Sequence, residues 1–358
     1  WGILRTYNDA GNFSPKYSKP TLAKLPSNPK GTLMPVNCNT IGANGLPNCV
    51  NTNGVCPTGT PQVSFKVHAF LAKDLLGGPL VYNQKAGLED PGAILFVRDT
   101  DLDAAKNRLK PGVPSEPLIL RARAGDCINL ALVNHLPANL GNTQQDGWST
   151  LPMIVEGFNN NDIRPSSHVG LTPQLVEFDA LRGAGLSIGQ NWTLPGGNLV
   201  TAAPNGVASY KWYAGRMTSR PYPDANSKLK KLYAGAVNLM PSDRIKQASK
   251  GAIGALIIEP QGAKWQEDAN MRASATVTLA NGKFFREHVL LFQDDLNLQQ
   301  NGLPVPNLAE SEDPEDTGQR AFNYKTEPLW TRMGFAADTP LEVTRTFDFT
   351  NVLVGAAE

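Results

Sequence analysis

Alternating apolar and polar residues mark the first predicted strands of this chain. The segment Val63–Leu71 (VSFKVHAFL) has the two-residue period of a strand with one buried face. Apolar runs at Ala93–Val97 and Leu118–Ala122 indicate two further buried strands. A fourth strand is predicted at Cys127–Val133, directly after the pair Gly125-Asp126. We expect that pair to be the turn of a hairpin that joins the third and fourth strands.

Similar patterns continue towards the C-terminus, separated by polar stretches rich in Asn, Gly and Pro. The later predicted strands are Thr172–Asp179, Ala208–Tyr213, Ala252–Glu259, Ala273–Leu279, Phe284–Phe292, Gln293–Asn297, Phe322–Leu329 and Val343–Asn351. An Asn281-Gly282 turn predicts that Ala273–Leu279 and Phe284–Phe292 form a hairpin. The only predicted helix is a short one at Asp243–Lys250, so the pattern predicts an all-β protein with long loops.

Composition agrees with this prediction. Of the 358 residues, 41% are apolar, enough for a sizeable core, and 33 Gly with 28 Pro favour turns and loops. The net charge of +1 gives no reason to expect binding to nucleic acid or to an anionic membrane surface. No apolar run is long enough for a membrane span, so we predict none.

Five motifs, in the same order along the chain, resemble the cupredoxin domains of large bacterial multicopper oxidases, the group that includes manganese(II) oxidases. They are PLILRARAGDCINLALVNHLP (Pro117–Pro137), VGLTPQLVEFD (Val169–Asp179), KWYAG (Lys211–Gly215), AVNLMPSDR (Ala236–Arg244) and KGAIGALIIEP (Lys250–Pro260). The resemblance implies cupredoxin-like Greek-key β-sandwich domains with long loops.

The resemblance also implies a division of the chain into four parts. Residues 1–8 (WGILRTYN) are similar to the closing strand of a preceding domain, and residues 9–60 form a linker or loop with three cysteines. A cupredoxin-like domain is expected at 61–265, and the start of a second, incomplete one at 266–358. The chain is therefore expected to be an internal segment of a longer polypeptide.

The family implies one-electron oxidation of a reduced substrate, coupled to reduction of dioxygen by copper. Blue copper requires two His and one Cys thiolate, and a trinuclear cluster uses His-x-His pairs on strands. In such domains the ligands usually lie on the second-last strand and in the loop before the last strand. Here those places are expected to hold Trp212–Ala214 and Ala248–Lys250, which cannot bind copper through an imidazole or a thiolate. Copper is therefore expected in the parent protein and no cofactor in this segment.

Four residues are candidate metal ligands despite this. His168 precedes Val169-Gly170-Leu171, where family members carry ligands, and His135 ends a predicted strand; for both, a hydrogen-bonded loop histidine is the alternative. Asp294 and Asp295 are candidates for manganese, because Mn²⁺ prefers carboxylates. The other two histidines are expected on polar faces: His68 on its strand, and His288 facing outward or towards a neighbouring domain.

The cysteines suggest a disulfide. Cys38, Cys49 and Cys56 lie in one Asn/Gly/Pro-rich loop, where a cross-link would stabilise an extracytoplasmic protein, and the pairing is left open. Cys127 lies in an apolar strand pattern and is interpreted as a small buried hydrophobic residue.

Two functions follow as hypotheses. In the first, the chain is the scaffold and domain interface of an extracytoplasmic multicopper oxidase acting on a metal ion such as Mn(II) or another reduced substrate. Its partners would be neighbouring cupredoxin domains of the same polypeptide and that small substrate or metal ion. In the second, it is a non-catalytic cupredoxin module for binding or assembly outside the cell, which would present sheet edges or aromatic residues such as Trp212 and Tyr213. Both place the protein in the periplasm, at the cell surface or in the secreted fraction.

Overall fold

The computed structural model describes residues 37–41, 47–50, 56, 59–138, 140, 165–178, 183–185, 201–214, 235–244, 246–269, 271–305, 319–326 and 335–336. The predicted strand at Val343–Asn351 and the closing strand at 1–8 lie outside these residues. No helix within the described ranges has the length and apolar character needed to cross a membrane.

Short strands dominate the described residues. Strands β1 to β6 span Asn37–Ile41, Pro47–Val50, Gln62–Leu71, Leu80–Asn83, Leu88–Asp90 and Ile94–Arg98, with helix α1 at Ala72–Leu76. A 3₁₀ turn at Asp99–Asp101 follows β6. Strands β7 to β12 span Leu102–Asp103, Arg108–Leu109, Leu118–Arg123, Cys127–Asn134, Leu171–Pro173 and Glu177–Phe178. Strands β13 to β15 span Val207–Tyr213, Gly235–Pro241 and Gly254–Glu259, with helix α2 at Lys246–Ser249. Strands β16 to β22 span Lys264–Asp268, Met271–Thr278, Phe284–His288, Phe292–Gln293, Gln299–Gln300, Leu303–Pro304 and Ala321–Phe322.

Two sheets form the main body. The first has five strands in the order β12-β13-β10-β3-β6, with β3 and β10 parallel and Leu130 opposite both Phe65 and Tyr210. The second has four strands in the order β11-β14-β15-β9, with β15 parallel to β9 and Leu256 opposite Leu120. Each sheet thus joins strands that are distant in sequence, as Greek-key connections require.

One hydrophobic core lies between the two sheets. Side chains of the first sheet, such as Ile128, Leu132 and Trp212, share a buried cluster with Leu120 and Leu256 of the second. Trp212 is fully buried, and its indole Nε1 donates to the carbonyl of Gly183 over 2.7 Å, which satisfies its one polar atom. The chain is therefore an all-β protein with a cupredoxin-like Greek-key β-sandwich at its centre, as the sequence predicts.

The strand order corrects three details of the sequence analysis. The Gly125-Asp126 turn does not close a hairpin, because β9 and β10 lie in different sheets. The predicted strand Thr172–Asp179 is two short strands, β11 and β12, also in different sheets, with Leu175 between them at a φ of 62°. Trp212–Ala214 does not belong to the second-last strand of the sandwich, because β14 follows β13. Alternation shows that a segment is a strand but carries no information on which sheet receives it.

Residues after Lys264 pack against the sandwich. Strands β16, β17 and β18 form a three-stranded antiparallel sheet that includes the predicted hairpin. Ala273, Val289 and Leu291 cover Ile119 and Ile257 on the second sheet. This cover explains why all six residues of β15 are buried, since the strand has an apolar partner on both faces.

Contacts cross the predicted domain boundary at 265/266. Strand β20 pairs with β5, with Gln300 opposite Leu88, and one antiparallel sheet has the order β21-β20-β5-β4. Leu296, Leu298 and Tyr324 share a buried cluster with residues of β4 and β5. The division into 61–265 and 266–358 stays a prediction, and the described part of 266–358 is closely packed on the sandwich.

Within the predicted loop 9–60, β1 and β2 pair antiparallel, so this loop contains a hairpin.

Candidate functional site

A buried hydrogen-bond network fills the end of the sandwich where cupredoxin ligands are expected. Gln247, in helix α2 of the loop between β14 and β15, is its centre. Its Nε2 donates to the carbonyls of Ser166 (2.9 Å) and His168 (2.7 Å). Its Oε1 accepts from the Ser242 hydroxyl (3.1 Å) and from the Asp243 backbone N–H (3.2 Å). One fully buried carboxamide thus ties the β14–β15 loop to the segment before β11.

Asp243 completes this network, which we call the Gln247 network. Its Oδ1 accepts from the backbone N–H of Lys246 (3.0 Å), the arrangement that caps the start of a helix. Its Oδ2 accepts from the backbone N–H of Ser166 (3.2 Å). The carboxylate is 1% exposed, so these donors offset the cost of burying it.

His168 contributes the one imidazole of this region. Its ring Nδ1 lies 3.2 Å from the Thr201 hydroxyl, and its carbonyl lies 3.0 Å from Ser242 Oγ, whose single proton is shared between this carbonyl and Gln247 Oε1. The ring is half-buried and hydrogen-bonded, the alternative given for it above. His168 as a metal ligand stays a prediction.

The donor set here does not fit a blue copper ion. Such an ion needs a thiolate and two imidazoles, whereas residues 242–253 (SDRIKQASKGAI) contain neither Cys nor His. The groups of this region are hydroxyls, one carboxamide, one carboxylate, the single imidazole of His168 and backbone groups, with no thiolate. No step of a copper reaction can therefore be derived for this end of the sandwich.

Cys127 does not supply a thiolate either, because it forms a disulfide with Cys56, with 5.6 Å between the two Cα atoms. Its predicted burial is right and its interpretation as a hydrophobic thiol is wrong. Cys56 was a disulfide candidate, but its partner lies on β10 and not in the Asn/Gly/Pro-rich loop. The side chains of Cys38 and Cys49 lie outside the described residues. The link could not be found from spacing, since 71 residues separate the partners.

A second group of side chains lies at the edge of the first sheet. His68 Nδ1 is 2.9 Å from His135 Nε2, and His68 Nε2 is 2.9 Å from Asp99 Oδ1. The same carboxylate oxygen is 2.9 Å from the ammonium of Lys66. Asp99, His68 and His135 therefore form a continuous hydrogen-bonded chain, here called the Asp99 chain.

The surroundings fix both rings of this chain. His68 is buried, contrary to its predicted polar face, because the second half of β3 is covered on both sides. The Phe70 ring stacks on His135 at 4.1 Å between centroids with only 2° between the planes. Partial burial, then the neighbouring His68 and Lys66, lowers the pKa of His135. Hydrogen bonds from Lys66 and His68 lower the pKa of Asp99.

The other predicted site residues belong neither to the Gln247 network nor to the Asp99 chain. Asp294 pairs with Arg320 at 2.9 Å, and both side chains are more than half exposed. Asp295 follows with a φ of 53°, and its backbone N–H donates a hydrogen bond to Asp294 Oδ1. The positive charge of Arg320 repels a cation beside Asp294, and manganese binding there stays a prediction.

His288 is exposed, with its Nδ1 2.8 Å from the Ser274 hydroxyl. Across the described ranges, no cluster combines three or more His, Cys, Asp or Glu side chains in a metal-binding arrangement.

A buried ion-pair network was missed by the sequence analysis. Arg121 of β9 is 3% exposed and donates to Glu267 (2.9 Å) and Glu287 (2.8 Å) of the three-stranded sheet. Glu259 lies 3.8 Å from Arg121, and burial, then the charge of Glu287, raises its pKa to about 7. The sequence signal was an Arg within an apolar strand, and its partners lie 146 and 166 residues further along the chain.

Comparison with protein-family models and with curated proteins found no match. Among solved structures, the chain is similar to a copper nitrite reductase from Nitrosomonas europaea, at 11% identity and a TM-score of 0.27. That match covers 56% of this chain and 42% of the reductase chain. The strand order of this chain is that of a cupredoxin-like sandwich, and the Gln247 network lies at the loop between β14 and β15.

Proposed function

We propose that this chain is the copper-ligand-free cupredoxin segment of an extracytoplasmic multicopper oxidase, where it acts as scaffold and domain interface. The parent enzyme would oxidise a metal ion such as Mn(II), or another reduced substrate, and pass the electrons to dioxygen. The observation that carries this proposal is the Gln247 network. The two sheets share one buried core, while the described residues at the end where the ligands are expected are tied together by polar side chains.

A rigid sandwich of this kind can position residues of a neighbouring domain. Several large apolar side chains near the three-stranded sheet support an interface role. Phe284 and Phe292 are each 73% exposed, and Phe292 contacts Phe322 with 4.4 Å between ring centroids. Phe322 is itself 49% exposed, so Phe292 and Phe322 form a contiguous exposed apolar pair, and contiguous apolar surface is what contacts with another domain or protein use. The proposed partner is a neighbouring cupredoxin domain of the same polypeptide.

The Cys56–Cys127 disulfide supports an extracytoplasmic location, because disulfides persist mainly in oxidising compartments. In the reducing cytoplasm, the disulfide between the N-terminal loop and β10 would tend to be reduced to two thiols. Periplasm, cell surface and the secreted fraction all fit equally well.

The alternative function is a non-catalytic module for binding or assembly. The aromatic pair Trp212 and Tyr213 does not favour it, since both side chains are buried in the sandwich. The exposed Phe284 and Phe292 could serve a separate partner as well as a neighbouring domain. The two hypotheses therefore differ in whether copper-bearing domains belong to the same polypeptide.

The test is to isolate the native polypeptide from its source with antibodies against this chain. Its denatured mass, copper content and oxygen consumption with Mn(II) or an organic reductant would then be measured. We expect a mass well above the 38.6 kDa of this chain, bound copper and oxidase activity. A mass close to 38.6 kDa without oxidase activity would overturn the proposal and favour the binding module.

A further inference from the structure

We propose that Lys250 and Asn297 join their side chains in an intramolecular isopeptide bond, with Asp90 as the catalytic acid and base. This inference goes beyond the proposed function and does not rest on it, because neither copper nor a neighbouring domain takes part. The bond would link the loop between β14 and β15 to the segment between β19 and β20. It would therefore cross the domain boundary predicted at 265/266.

Three buried side chains meet at one point. The Nζ of Lys250 donates hydrogen bonds to Asn297 Oδ1 and, over 3.3 Å, to Asp90 Oδ1. Asp90 is fully buried, and Asn297 and Lys250 are only 6% and 9% exposed. The amine already contacts the group that it would attack, since the carboxamide carbon is one bond away from Oδ1. Holding two reacting groups together converts a bimolecular step into an effectively unimolecular one.

Backbone hydrogen bonds hold both partners in place. The backbone N–H of Ile94 donates to the carbonyl of Lys250 over 2.8 Å. The backbone N–H of Asn297 donates to the carbonyl of Ser249 over 3.4 Å. The segment that carries the carboxamide is thus bonded directly to the residue before the amine, so the two side chains start from adjacent backbones.

Apolar and aromatic side chains surround the reacting groups. Asn297 lies between Leu296 and Leu298, which share a buried hydrophobic cluster with Tyr82 and Tyr324. A charge is costly in such surroundings unless it is well paired. They therefore favour the conversion of a buried ammonium into a neutral amide.

Asp90 is placed to move the protons. Its Oδ1 accepts from Lys250 and from the backbone N–H of Gly92 (2.8 Å), whereas its buried Oδ2 has no hydrogen-bond partner among the residues that the structure describes. Burial raises the pKa of Asp90 to about 6, although the charge of Lys250 opposes this. The raised pKa makes transfer of a proton from the ammonium to this carboxylate less unfavourable, and a base beside a lysine is what activates its amine as a nucleophile.

The reaction balances without an external reagent. Asp90 takes one proton from the Lys250 ammonium, and the neutral amine attacks Cγ of Asn297 to form the Nζ–Cγ bond. The bond between Cγ and the Asn297 amide nitrogen then breaks. Nζ loses two protons in all, one of them by way of Asp90, and both leave on the departing nitrogen as ammonium. Asp90 is again a carboxylate, and nothing is oxidised or reduced.

The test is the mass of the purified chain after denaturation and reduction of its disulfide. We expect a mass lower than that of the sequence by one ammonia molecule. Trypsin should fail to cleave after Lys250, and fragmentation should show its peptide joined to the peptide that contains Asn297. Lys250→Met keeps the length of the side chain without its amine and should restore the full mass, as should Asp90→Ala.

The matched control is Lys246→Met, because Lys246 lies in the same helix α2 and is 8% exposed. This variant should keep the loss of ammonia. A wild-type mass equal to that of the sequence, with cleavage after Lys250, would overturn the inference, and so would an unchanged loss in Lys250→Met. These results are independent of the test of the proposed function, since an oxidase segment and a binding module could carry the same bond.

Discussion

At the scale of single residues, Gln247 holds the ligand end of the sandwich closed. Replacing it with Ala removes four hydrogen bonds and takes a donor from the buried carbonyls of Ser166 and His168. We expect Gln247→Ala to lower the free energy of unfolding by about 3 kcal/mol, measured by urea denaturation. The matched control is Gln174→Ala, an exposed side chain directly after β11, which should change the free energy of unfolding by less than about 0.5 kcal/mol. Equal losses in both variants would contradict this role.

The Cys56–Cys127 disulfide is a second single-residue feature with a measurable effect. It closes a loop of 71 residues, for which chain entropy predicts a stabilisation of about 4 kcal/mol. The double variant Cys56→Ala/Cys127→Ala should lose about this much in urea denaturation. Peptide mapping without reductant should recover the Cys56–Cys127 link from wild type. Recovery of Cys56 linked to Cys38 or Cys49 would contradict the pairing described here.

At the scale of elements, we expect the contact between β15 and the three-stranded sheet to depend on pH through Glu259. The pKa of buried Glu259 is raised to about 7, above its ordinary value of 4.5. The folded state therefore binds this proton more tightly than the unfolded state. The stability that protonation supplies is present below about pH 4.5 and is lost as the pH rises through 7.

The variant Glu259→Gln keeps the shape and removes this titration. The difference in unfolding free energy between pH 5 and pH 8 should shift by about 2 kcal/mol relative to wild type, with the variant gaining at pH 8. Glu89→Gln, a half-buried strand position outside the Arg121 network, is the control. An unchanged pH dependence in Glu259→Gln would argue against the raised pKa.

The approach of the segment before β11 to the loop at 183–185 depends on two glycines. A Cβ on Gly170 would lie 1.9 Å from the carbonyl oxygen of Gly185, so the two backbones would have to separate. We expect Gly170→Ala to lower the free energy of unfolding by about 2–3 kcal/mol. Gly78→Ala has open space around its Cβ and is the matched control in the same thermal-denaturation series. Similar midpoints for the two variants would contradict this close packing.

At the scale of the whole molecule, the sequence was most informative where one segment carries its own signal. The alternation in β3, the apolar runs of β6, β9 and β15, and the Asn281-Gly282 hairpin are local features, and all of them are strands in the structure. The all-β class and the cupredoxin-like sandwich follow from these strands and from the order of the five motifs.

Features formed between distant segments could not be predicted. The turn at Gly125-Asp126 connects two sheets, and whether such a turn closes a hairpin depends on the partners of both strands. Cys127 meets Cys56, and Gln247 meets Ser166 across 81 residues. His68 looked polar by its position in β3, but its burial depends on His135 and Asp99, which other elements bring to it.

The most direct test of the whole account is a crystal structure of the chain after copper loading, with copper located by anomalous scattering. We expect no copper among Ser166, His168, Ser242, Asp243 and Gln247. A copper ion within the Gln247 network would contradict the central claim that this cupredoxin-like sandwich is closed by polar side chains at its ligand end.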